Sequence, residues 1–444
     1  MTDLPDFIHE LDHDQLPAEV VHQTRRCLLD LIGVAAAGSR TWLSRIIRDH
    51  AAGQFGAGDR PARLIFDGRP VSPAGAALAG GMTIDAFDAH DGHALTKGHA
   101  GAALLPALLA LHEIAPLASG RDFLAALAMG YEVAIRAGIA LHRSAADYHT
   151  SGAWSALGCA ALGARLLGLD RTRTREALGI AEYHGPRSPM MRCIDHPTMV
   201  KDGSGWGAMT GISAALLAAD GFTGAPADTV EHPDLADLWA DLGERWRILD
   251  LYFKPYPVCR WAQPAVTAAR ELKAAHRIDP QAIATIEVRS FHQACRLAVR
   301  RPADTEQAQY SLPFPVAAAL RHDRLGAAEI DGDALHDPRT LRLSEAMTLH
   351  EDDDYNARFP AERWARVRIR LHSGEWLTSA PTTAPGDPDR PLSDEELLEK
   401  FRVSTAPFAD ARFRATAKQY MQLGDEATAL AGVIRYLYSA PTDR

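Results

Sequence analysis

The hydrophobic and polar positions of roughly the first 260 residues follow a helical pattern. The stretch 18–38 places Val21, Leu28 and Ile32 on one helical face, and Gly38 follows as a stop signal. Further Ala- and Leu-rich segments, bounded by Gly, Pro or polar clusters, span residues 100–115, 122–142, 152–167 and 207–220. Their many small residues let helix backbones approach closely, so the pattern predicts a packed multi-helix domain.

The pattern changes after about residue 277. Residues 282–290 and 364–374 alternate apolar and polar positions and carry β-branched residues, which predicts two strands. Between them, residues 308–325 read as an extended start followed by a helix. The Pro- and Asp-rich run 381–393 is a predicted loop, and Ser393 is placed to cap a final helical segment whose first turn is acidic.

These patterns predict a mainly α fold with an α+β part. Residues 1–264 and 391–444 are predicted to form one large helical domain, into which residues 265–390 insert as a smaller α+β domain. The length of 444 residues agrees with two or three domains at roughly 150 residues each.

Composition narrows the class of protein. Apolar residues make up 47% and charged residues 23% of the chain, so it can bury a large core. The net charge of −10 argues against a nucleic-acid partner, since phosphate contacts need a basic face. A local basic pocket for an anionic substrate remains compatible with that charge.

The N-terminal residues Met1 to Leu16 lack a basic segment followed by an apolar one, so we expect no signal peptide. No uninterrupted apolar run reaches the roughly 18–20 residues of a membrane helix, so we expect no membrane partner. Five cysteines are scattered without a C-x-x-C pair, which argues against a disulfide scaffold, a zinc ribbon and iron–sulfur ligation. The expectation is a cytoplasmic enzyme with reduced thiols.

The densest ionisable cluster is DAFDAHDGHALTKGHAG, residues 85–101, directly before an apolar helix. A histidine such as His99 flanked by carboxylates can take and return a proton near neutral pH. A solvated, charged loop is the alternative interpretation. A metal site from Asp88, His90, His93 and His99 is a further one, but the spacing matches no common ligand pattern, so we predict no metal.

A second cluster, MVKDGSGWGAMTG at residues 199–211, places Lys201 and several glycines before an Ala-rich helix. Backbone N–H groups and this lysine could bind an anion at the helix N-terminus. The alternative is that the glycines serve helix packing beside a surface lysine. The run lacks the G-x-x-x-x-G-K-[ST] spacing, so we predict no nucleotide-binding P-loop.

A third cluster, YFKPYPVCRW at residues 252–261, holds Lys254, Cys259 and Arg260 beside two prolines that stiffen the backbone. The two cations could bind carboxylates, the arginine in a bidentate manner. The cysteine could act as a nucleophile only with a lowered pKa, and a small buried residue is its alternative role. The pair formed by Tyr148 and His149 is a fourth, weaker signal.

Six stretches, in the same order, resemble segments of the MmgE/PrpD family, which includes 2-methylcitrate dehydratase, cis-aconitate decarboxylase and iminodisuccinate epimerase. The stretches are LLDLIGVAAAG, DAHDGHALTKGHAG, YHTSGAWSALGCAALGARLLGLD, the Lys–Gly run leading to AALLAADGFTGAP, FKPYPVCRW and GDPDRPLSDEELLEKF. One such stretch alone would be a weak signal. Together they extend from residue 28 to residue 401 and cover nearly the whole chain.

The resemblance implies that the α+β domain is a lid on the helical domain, that the chain forms a homodimer, and that the active site lies between the two domains without metal or organic cofactor. Carried over residue by residue, Asp88 and His99 match the family's aspartate and histidine. Lys201 and Lys254 match its two lysines, and His149 matches the histidine of an FHPTG-like segment.

The sequence also departs from the family pattern. His90 stands where members with a D-x-D-D run have a carboxylate, and Cys259 stands where the decarboxylase has histidine. Gln263 replaces a histidine of many relatives, and Phe314 aligns with the decarboxylase's lid-domain tyrosine. The spacing after Lys201 is about one residue shorter than in the dehydratases. These changes make it unsafe to transfer the decarboxylase or methylcitrate activity directly.

The chemistry implied by the resemblance forms or consumes a carbanion next to a carboxylate. Lys201, Lys254 and Arg260 are the predicted electrostatic clamp for the growing negative charge. His99 is the predicted proton-transfer group, with Asp88 orienting it or serving as the partner acid–base group. The other predicted substrate-binding residues are Asp91, His93, His149 and Cys259.

Three functions therefore compete. The first is cofactor-independent dehydration or hydration of a small hydroxy-di- or tricarboxylate, as in 2-methylcitrate dehydratase. The second is epimerisation or decarboxylation of a related dicarboxylate through an α-carbanion. The third, a non-catalytic binding or scaffold protein, is disfavoured because the ionisable groups at Asp88, His99, Lys201 and Lys254 are all retained.

Overall fold

The computed structural model describes residues 3–406, 411–425 and 428–439. The α-helices are α1 (Leu4–Glu10), α2 (Ala18–Gly38), α3 (Trp42–Gln54), α4 (Pro73–Asp85), α5 (Gly101–Ile114), α6 (Gly120–Ser144), α7 (Gly152–Leu166), α8 (Arg171–His184), α9 (Met191–Asp195), α10 (Ser204–Ala219), α11 (Asp228–Glu231), α12 (Gln263–His276), α13 (His292–Cys295), α14 (Thr305–Gln309), α15 (Pro313–His322), α16 (Pro338–Glu345), α17 (Asp353–Arg358), α18 (Asp394–Thr405), α19 (Ala411–Ala415), α20 (Ala417–Met421) and α21 (Leu430–Ile434). The strands are β1 (Ala62–Arg63), β2 (Pro70–Val71), β3 (Gly92–His93), β4 (Leu251–Tyr252), β5 (Ile283–Ser290), β6 (Met347–Glu351), β7 (Ala365–Leu371) and β8 (Trp376–Thr378).

The N-terminal helices pack around α10, which contacts α4, α5, α7 and α8. Small residues permit this approach, as the sequence predicts. A Cβ at Gly207 would overlap the backbone of Gly152 in α7, and a Cβ at Gly211 would overlap Cys159. The predicted helices over 18–38, 100–115, 122–142, 152–167 and 207–220 are confirmed within a few residues as α2, α5, α6, α7 and α10.

Helix α6 has the length and apolar composition of a membrane span, and all of its most apolar 18-residue stretch is buried inside the fold. Its apolar run is interrupted by Glu132 and Arg136, which form an ion pair at 3.3 Å. A buried core helix passes the same test of length and composition, so the finding is weak as a sign of membrane insertion.

The C-terminal helix α18 returns to the N-terminal helices and packs on α2. Ser393 caps it as predicted, because its side chain accepts from the Glu396 N–H while the Glu396 carboxylate accepts from the Ser393 N–H. Phe401 of α18 lies against Gly33 of α2, where a Cβ would come within 3.1 Å of the ring. The two ends of the chain therefore share one helical core.

The predicted strands over 282–290 and 364–374 are confirmed as β5 and β7, the two central strands of a four-stranded sheet of order β6-β5-β7-β8. β5 pairs parallel to β6 and antiparallel to β7, with Val288 opposite Val367 and Ile286 opposite Ile369. These inward residues are buried, and α12 packs against β7. A mainly α structure with small β regions is thus established, while the domain boundaries and the lid remain predictions.

One short pairing positions the functional residues. The loop between α4 and α5 forms β3, which pairs antiparallel with β4, and Gly92 lies opposite Tyr252. Gly92 is required at this approach, because a Cβ there would overlap the Tyr252 hydroxyl. The pairing holds residue 254, two positions beyond β4, beside a loop that is distant in sequence.

Candidate active site

Three of the predicted catalytic residues meet in a buried cluster between β3, β4 and the start of α5. The ammonium group of Lys254 donates a hydrogen bond to Asp88 Oδ1. The same Nζ lies 3.3 Å from His99 Nε2, and His99 Nε2 lies 3.7 Å from Asp88 Oδ1. All three side chains are buried. The structure therefore brings a carboxylate, an imidazole and an ammonium group into mutual contact.

The backbone fixes the tautomer of His99. Its Nδ1 lies 2.6 Å from the carbonyl oxygen of Asp91, and because a carbonyl can only accept, Nδ1 carries the hydrogen. In the neutral ring, Nε2 is then the acceptor, and Lys254 Nζ donates to it at 3.3 Å. Burial, followed by the positive charge of Lys254, lowers the pKa of His99 well below its usual value. The ring is therefore a neutral base at neutral pH.

Asp88 is held as a carboxylate. Burial alone would raise its pKa, but the positive charge of Lys254, together with His99 and His90, outweighs burial and lowers the pKa of Asp88 below its usual value. Its backbone N–H also donates to Gln309 Oε1 at 2.8 Å. Asp88 is thus anchored at both its backbone and its side chain.

Lys201 is also buried and lies close to this cluster. It adopts a left-handed φ of 50° just before α10. Its Nζ donates to Gln309 Oε1 at 2.6 Å and lies 4.8 Å from the ring centroid of Tyr310. Gln309 therefore accepts from both Lys201 and Asp88, and it links the second lysine to the cluster of Asp88, His99 and Lys254.

A second layer of buried polar groups supports His99. The His99 N–H donates to Ser151 Oγ at 2.8 Å, and the Ser151 hydroxyl donates to Asp202. The Asp202 N–H in turn donates to Asp85 Oδ2 at 3.1 Å. His90 Nε2 lies 3.2 Å from Asp85 Oδ1, and its ring packs edge-on against His99 at 4.4 Å. This chain of contacts fixes the backbone and ring of His99.

Two of the predicted substrate-binding residues, Asp91 and Cys259, are buried in the protein interior. The Asp91 carboxylate accepts from the Tyr131 hydroxyl at 2.5 Å, and burial raises the pKa of Asp91 to about 6. Its carbonyl orients His99. Burial also raises the pKa of Cys259 to about 12, so the thiol remains protonated, in keeping with a small buried residue and not a nucleophile.

The other three predicted substrate-binding residues lie outside the catalytic contacts. His93 is buried in β3, where burial and then the nearby arginines lower its pKa to about 3. The ring of His149 stacks against His142 at 6.5 Å. Arg260 pairs with Asp387 at 2.7 Å and donates to Gln263 and to two carbonyls. Its donors are therefore engaged within the protein.

The ligand atoms of Asp88, His90 and His99 lie within 4.8 Å of one another, a spacing that could hold a metal ion. However, Lys254 contacts the same Asp88 oxygen and the same His99 nitrogen. A cation at that position would meet the ammonium group, so this donor set fits a lysine better than a metal.

Sequence reasoning missed Gln309, Ser151, Asp202 and Arg363, the last of which is described below. The pattern around Gln309 predicts only an extended start and a helix, and Ser151 lies in a small-residue stretch. Neither pattern marks a site. Asp202 adjoins Lys201, which was the one available signal.

Comparison with known proteins identifies one family over most of the chain. The model of the MmgE/PrpD N-terminal domain matches residues 2–244, and that of the MmgE/PrpD C-terminal domain matches residues 256–423. Cis-aconitate decarboxylase of Homo sapiens is 27% identical over 90% of this chain and 86% of its own length. Cis-aconitate decarboxylase of Mus musculus is 26% identical over 90% of this chain and 85% of its own length. The cis-aconitate decarboxylase-like protein oryM of Aspergillus oryzae is 23% identical over 92% of this chain and 91% of its own length.

The two domain matches together span most of the chain. The N-terminal match includes Asp88, His99 and Lys201, and Lys254 lies in the short gap between the two matches. The family resemblance found in the sequence is therefore confirmed: the chain belongs to the MmgE/PrpD family.

Proposed function

We propose that this protein is a cofactor-independent lyase that dehydrates a small hydroxy-di- or tricarboxylate, or hydrates the corresponding alkene. One observation carries the proposal: the unprotonated nitrogen of a buried imidazole is in hydrogen-bond contact with an ammonium–carboxylate pair. Removing a proton next to a carboxylate needs a base and a nearby positive charge, and the cluster supplies both.

In the proposed dehydration, His99 Nε2 takes the proton from the carbon next to the substrate carboxylate. The electron pair of that C–H bond forms the new C=C bond as the hydroxyl group leaves. Lys254 protonates the departing hydroxyl, so the products are the alkene and water. The imidazolium then returns its proton to the lysine across the 3.3 Å contact. Lys201 stabilises the carboxylate as negative charge builds on it.

Decarboxylation is the second candidate. The human and mouse relatives are named cis-aconitate decarboxylase, which favours it. The same three groups would serve, since loss of CO₂ leaves a carbanion that an acid must protonate. Low identity and the departures at Cys259 and Phe314 leave dehydration as the first proposal.

Incubating the purified protein with hydroxy-di- and tricarboxylates tests the proposal. Alkene absorbance in the ultraviolet indicates dehydration, released CO₂ indicates decarboxylation, and deuterium uptake at the α-carbon without water loss indicates epimerisation. His99→Gln should lower turnover by about 10²- to 10⁴-fold, because glutamine cannot transfer the proton. His372→Gln, at an exposed residue just after β7, is the matched control. A folded His99→Gln variant with full turnover would contradict the assignment.

We also propose a homodimer formed through α3 and α10. Trp42 and Ile46 of α3 and Trp206 of α10 are exposed. Ile47 of α3 and Met209 of α10 pack against the same small buried cluster, and both helices pack on α4. Exposed apolar side chains on two helices that share one packing partner favour association with another copy. Sedimentation equilibrium of the full chain measures the mass in solution.

A further inference from the structure

Four arginine side chains are buried in the described part of the chain, and three of them form ion pairs with aspartate or glutamate. The fourth, Arg363, is 4% exposed and has no carboxylate partner among the described residues. Its Nη2 donates to the carbonyl of Ala94 at 3.4 Å, and its Nε is buried without a hydrogen-bond partner. A buried charge without a counter-charge is unfavourable, so a bound anion would stabilise the guanidinium at this position.

Arg363 is separated from the catalytic cluster by one aromatic ring. Its guanidinium lies 5.5 Å from the ring centroid of Tyr252. The same ring lies 6.4 Å from that of His99, at 86° to it. The unpaired guanidinium is therefore next to the groups proposed to perform the reaction.

A second cation without a carboxylate partner lies nearby. Lys97 adopts a left-handed φ of 51°, and its Nζ lies 4.6 Å from the ring centroid of Tyr148. Burial, and then the positive charge of Arg363, lower the pKa of Lys97. The lysine ion pairs of the described residues involve other lysines. Two neighbouring cations with no counter-charge make an anion-binding position.

The two cations come from distant parts of the chain. Lys97 lies in the loop between α4 and α5, the same loop that supplies Asp88 and His99. Arg363 lies two residues before β7, a strand of the four-stranded sheet in the C-terminal region. Its contact with Ala94 spans 269 residues of sequence.

We propose that Arg363, assisted by Lys97, binds a second carboxylate of the substrate, one that does not take part in the reaction. The inference rests on the proposed function and adds to it the residues that bind the second carboxylate of the di- or tricarboxylate substrate. The planar guanidinium offers paired N–H donors that match the two oxygens of a carboxylate. The reacting carboxylate lies near Lys254 and Lys201, and Arg363 fixes the other end of the molecule.

Binding of unreactive acids tests the proposal directly. Tricarballylate carries three carboxylates and valerate carries one, and isothermal titration measures the affinity of both. Arg363→Met should weaken tricarballylate binding by about 10- to 100-fold, the usual worth of a hydrogen bond to a charged group. Valerate binding should be unchanged. The tricarballylate affinity of Arg363→Lys should lie between those of Arg363→Met and the wild type. Arg366→Met, at an exposed residue of β7, is the matched control.

Thermal melting separates a binding role from a structural one. Without ligand, Arg363→Met should melt no lower than the wild type, because the change removes an uncompensated buried charge. The melting temperature of the wild type should rise with tricarballylate, and that of the variant should rise much less. A ligand-free variant that melts well below the wild type and binds both acids equally poorly would show a structural role and overturn the proposal.

The proposed activity and this subsite can fail separately. If wild type binds tricarballylate through Arg363 but converts none of the hydroxy acids, the activity is wrong and the subsite stands. If the wild type converts an acid and Arg363→Met has the same KM for it, the subsite is wrong and the activity stands. Equal tricarballylate affinity in variant and wild type also overturns the subsite.

Discussion

The two buried lysines, Lys254 and Lys201, lie in regions of opposite character. Lys254 donates to the carboxylate of Asp88. Lys201 donates to the neutral amide of Gln309 and lies over the ring of Tyr310. Both side chains are almost completely inaccessible, at 0% and 1% exposure, so burial does not distinguish them. The difference lies in the counter-charge.

That difference assigns the two lysines separate tasks. The charge of Lys254 acts within the protein, where it keeps Asp88 ionised and contributes to keeping His99 neutral. Among the described residues, no carboxylate forms an ion pair with Lys201. Its charge is the one that we propose binds an incoming anion. In the proposed function, Lys254 sets the protonation states of Asp88 and His99, and Lys201 holds the substrate.

The largest effect is expected from Lys254→Met. The change leaves Asp88 buried without its ionic partner, which should reduce the free energy of unfolding by about 3–5 kcal/mol. Urea denaturation measures this loss. The pKa of His99, followed by NMR, should rise because the positive charge that lowers it is gone while the Asp88 carboxylate remains. Turnover should be lost as well.

The double variant Asp88→Asn with Lys254→Met separates charge from packing. With both charges removed, most of the lost stability should return, whereas turnover should not. If the double variant is as unstable as Lys254→Met alone, the lysine stabilises the protein through its packed methylene groups. The stabilising role of Lys254 as the counter-charge of Asp88, which distinguishes it from Lys201, would then be wrong.

Lys201→Met should affect binding more than stability. No ion pair is broken, and Gln309 Oε1 still accepts from the Asp88 N–H, so the free energy of unfolding should change by less than about 1 kcal/mol. The KM for the substrate should rise by about 10- to 100-fold, the worth of a charged hydrogen bond. Lys418→Met, at an exposed residue, is the control for stability. A destabilisation as large as that of Lys254→Met would show that Lys201 is also a structural counter-charge.

The fold was predictable where its signals are local. Apolar spacing and the cap at Ser393 depend on neighbouring residues, so α2, α18 and the strands β5 and β7 follow from the sequence. The β3–β4 pairing was not predictable, since two residues in each strand leave no periodicity. It is this pairing that brings Lys254 to Asp88 and His99.

The candidate site was predictable in part for the same reason. Its loop of clustered ionisable residues is visible in the sequence, and the family resemblance selects Asp88 and His99 from it. By contrast, Gln309 reaches Asp88 across 221 residues of sequence. The sequence predicts that Arg260 binds a carboxylate of the substrate, yet its donors are engaged by Asp387 and by carbonyl groups. The unpaired arginine, Arg363, is recognisable only once its surroundings are known.

The smallest predicted effect concerns Asp202, which lies behind His99. Burial, and then the negative charge of Asp85, raise the pKa of Asp202 to about 8 from an ordinary value of 3.8. Between these values the folded protein holds a proton that the unfolded chain has lost, so stability should fall as pH rises. His99 affects the pH dependence of stability in the opposite direction. Its pKa is lowered in the folded protein, so the unfolded chain binds the proton first and stability falls as the pH drops below 6.5.

The difference in unfolding free energy between wild type and Asp202→Asn, followed from pH 6.5 to 7.5, isolates the contribution of Asp202, because Asp91 and the histidines with lowered pKa contribute equally to both proteins. Relative to the variant, wild type should lose up to about 1.4 kcal/mol of stability over that pH unit, the linkage value for one proton. Asp202→Asn should show a flatter dependence, because its amide donates to Ser151 Oγ without titrating. Equal slopes in wild type and variant would mean that Asp202 is ionised throughout. The second layer would then place a negative charge behind His99 and favour its protonated form.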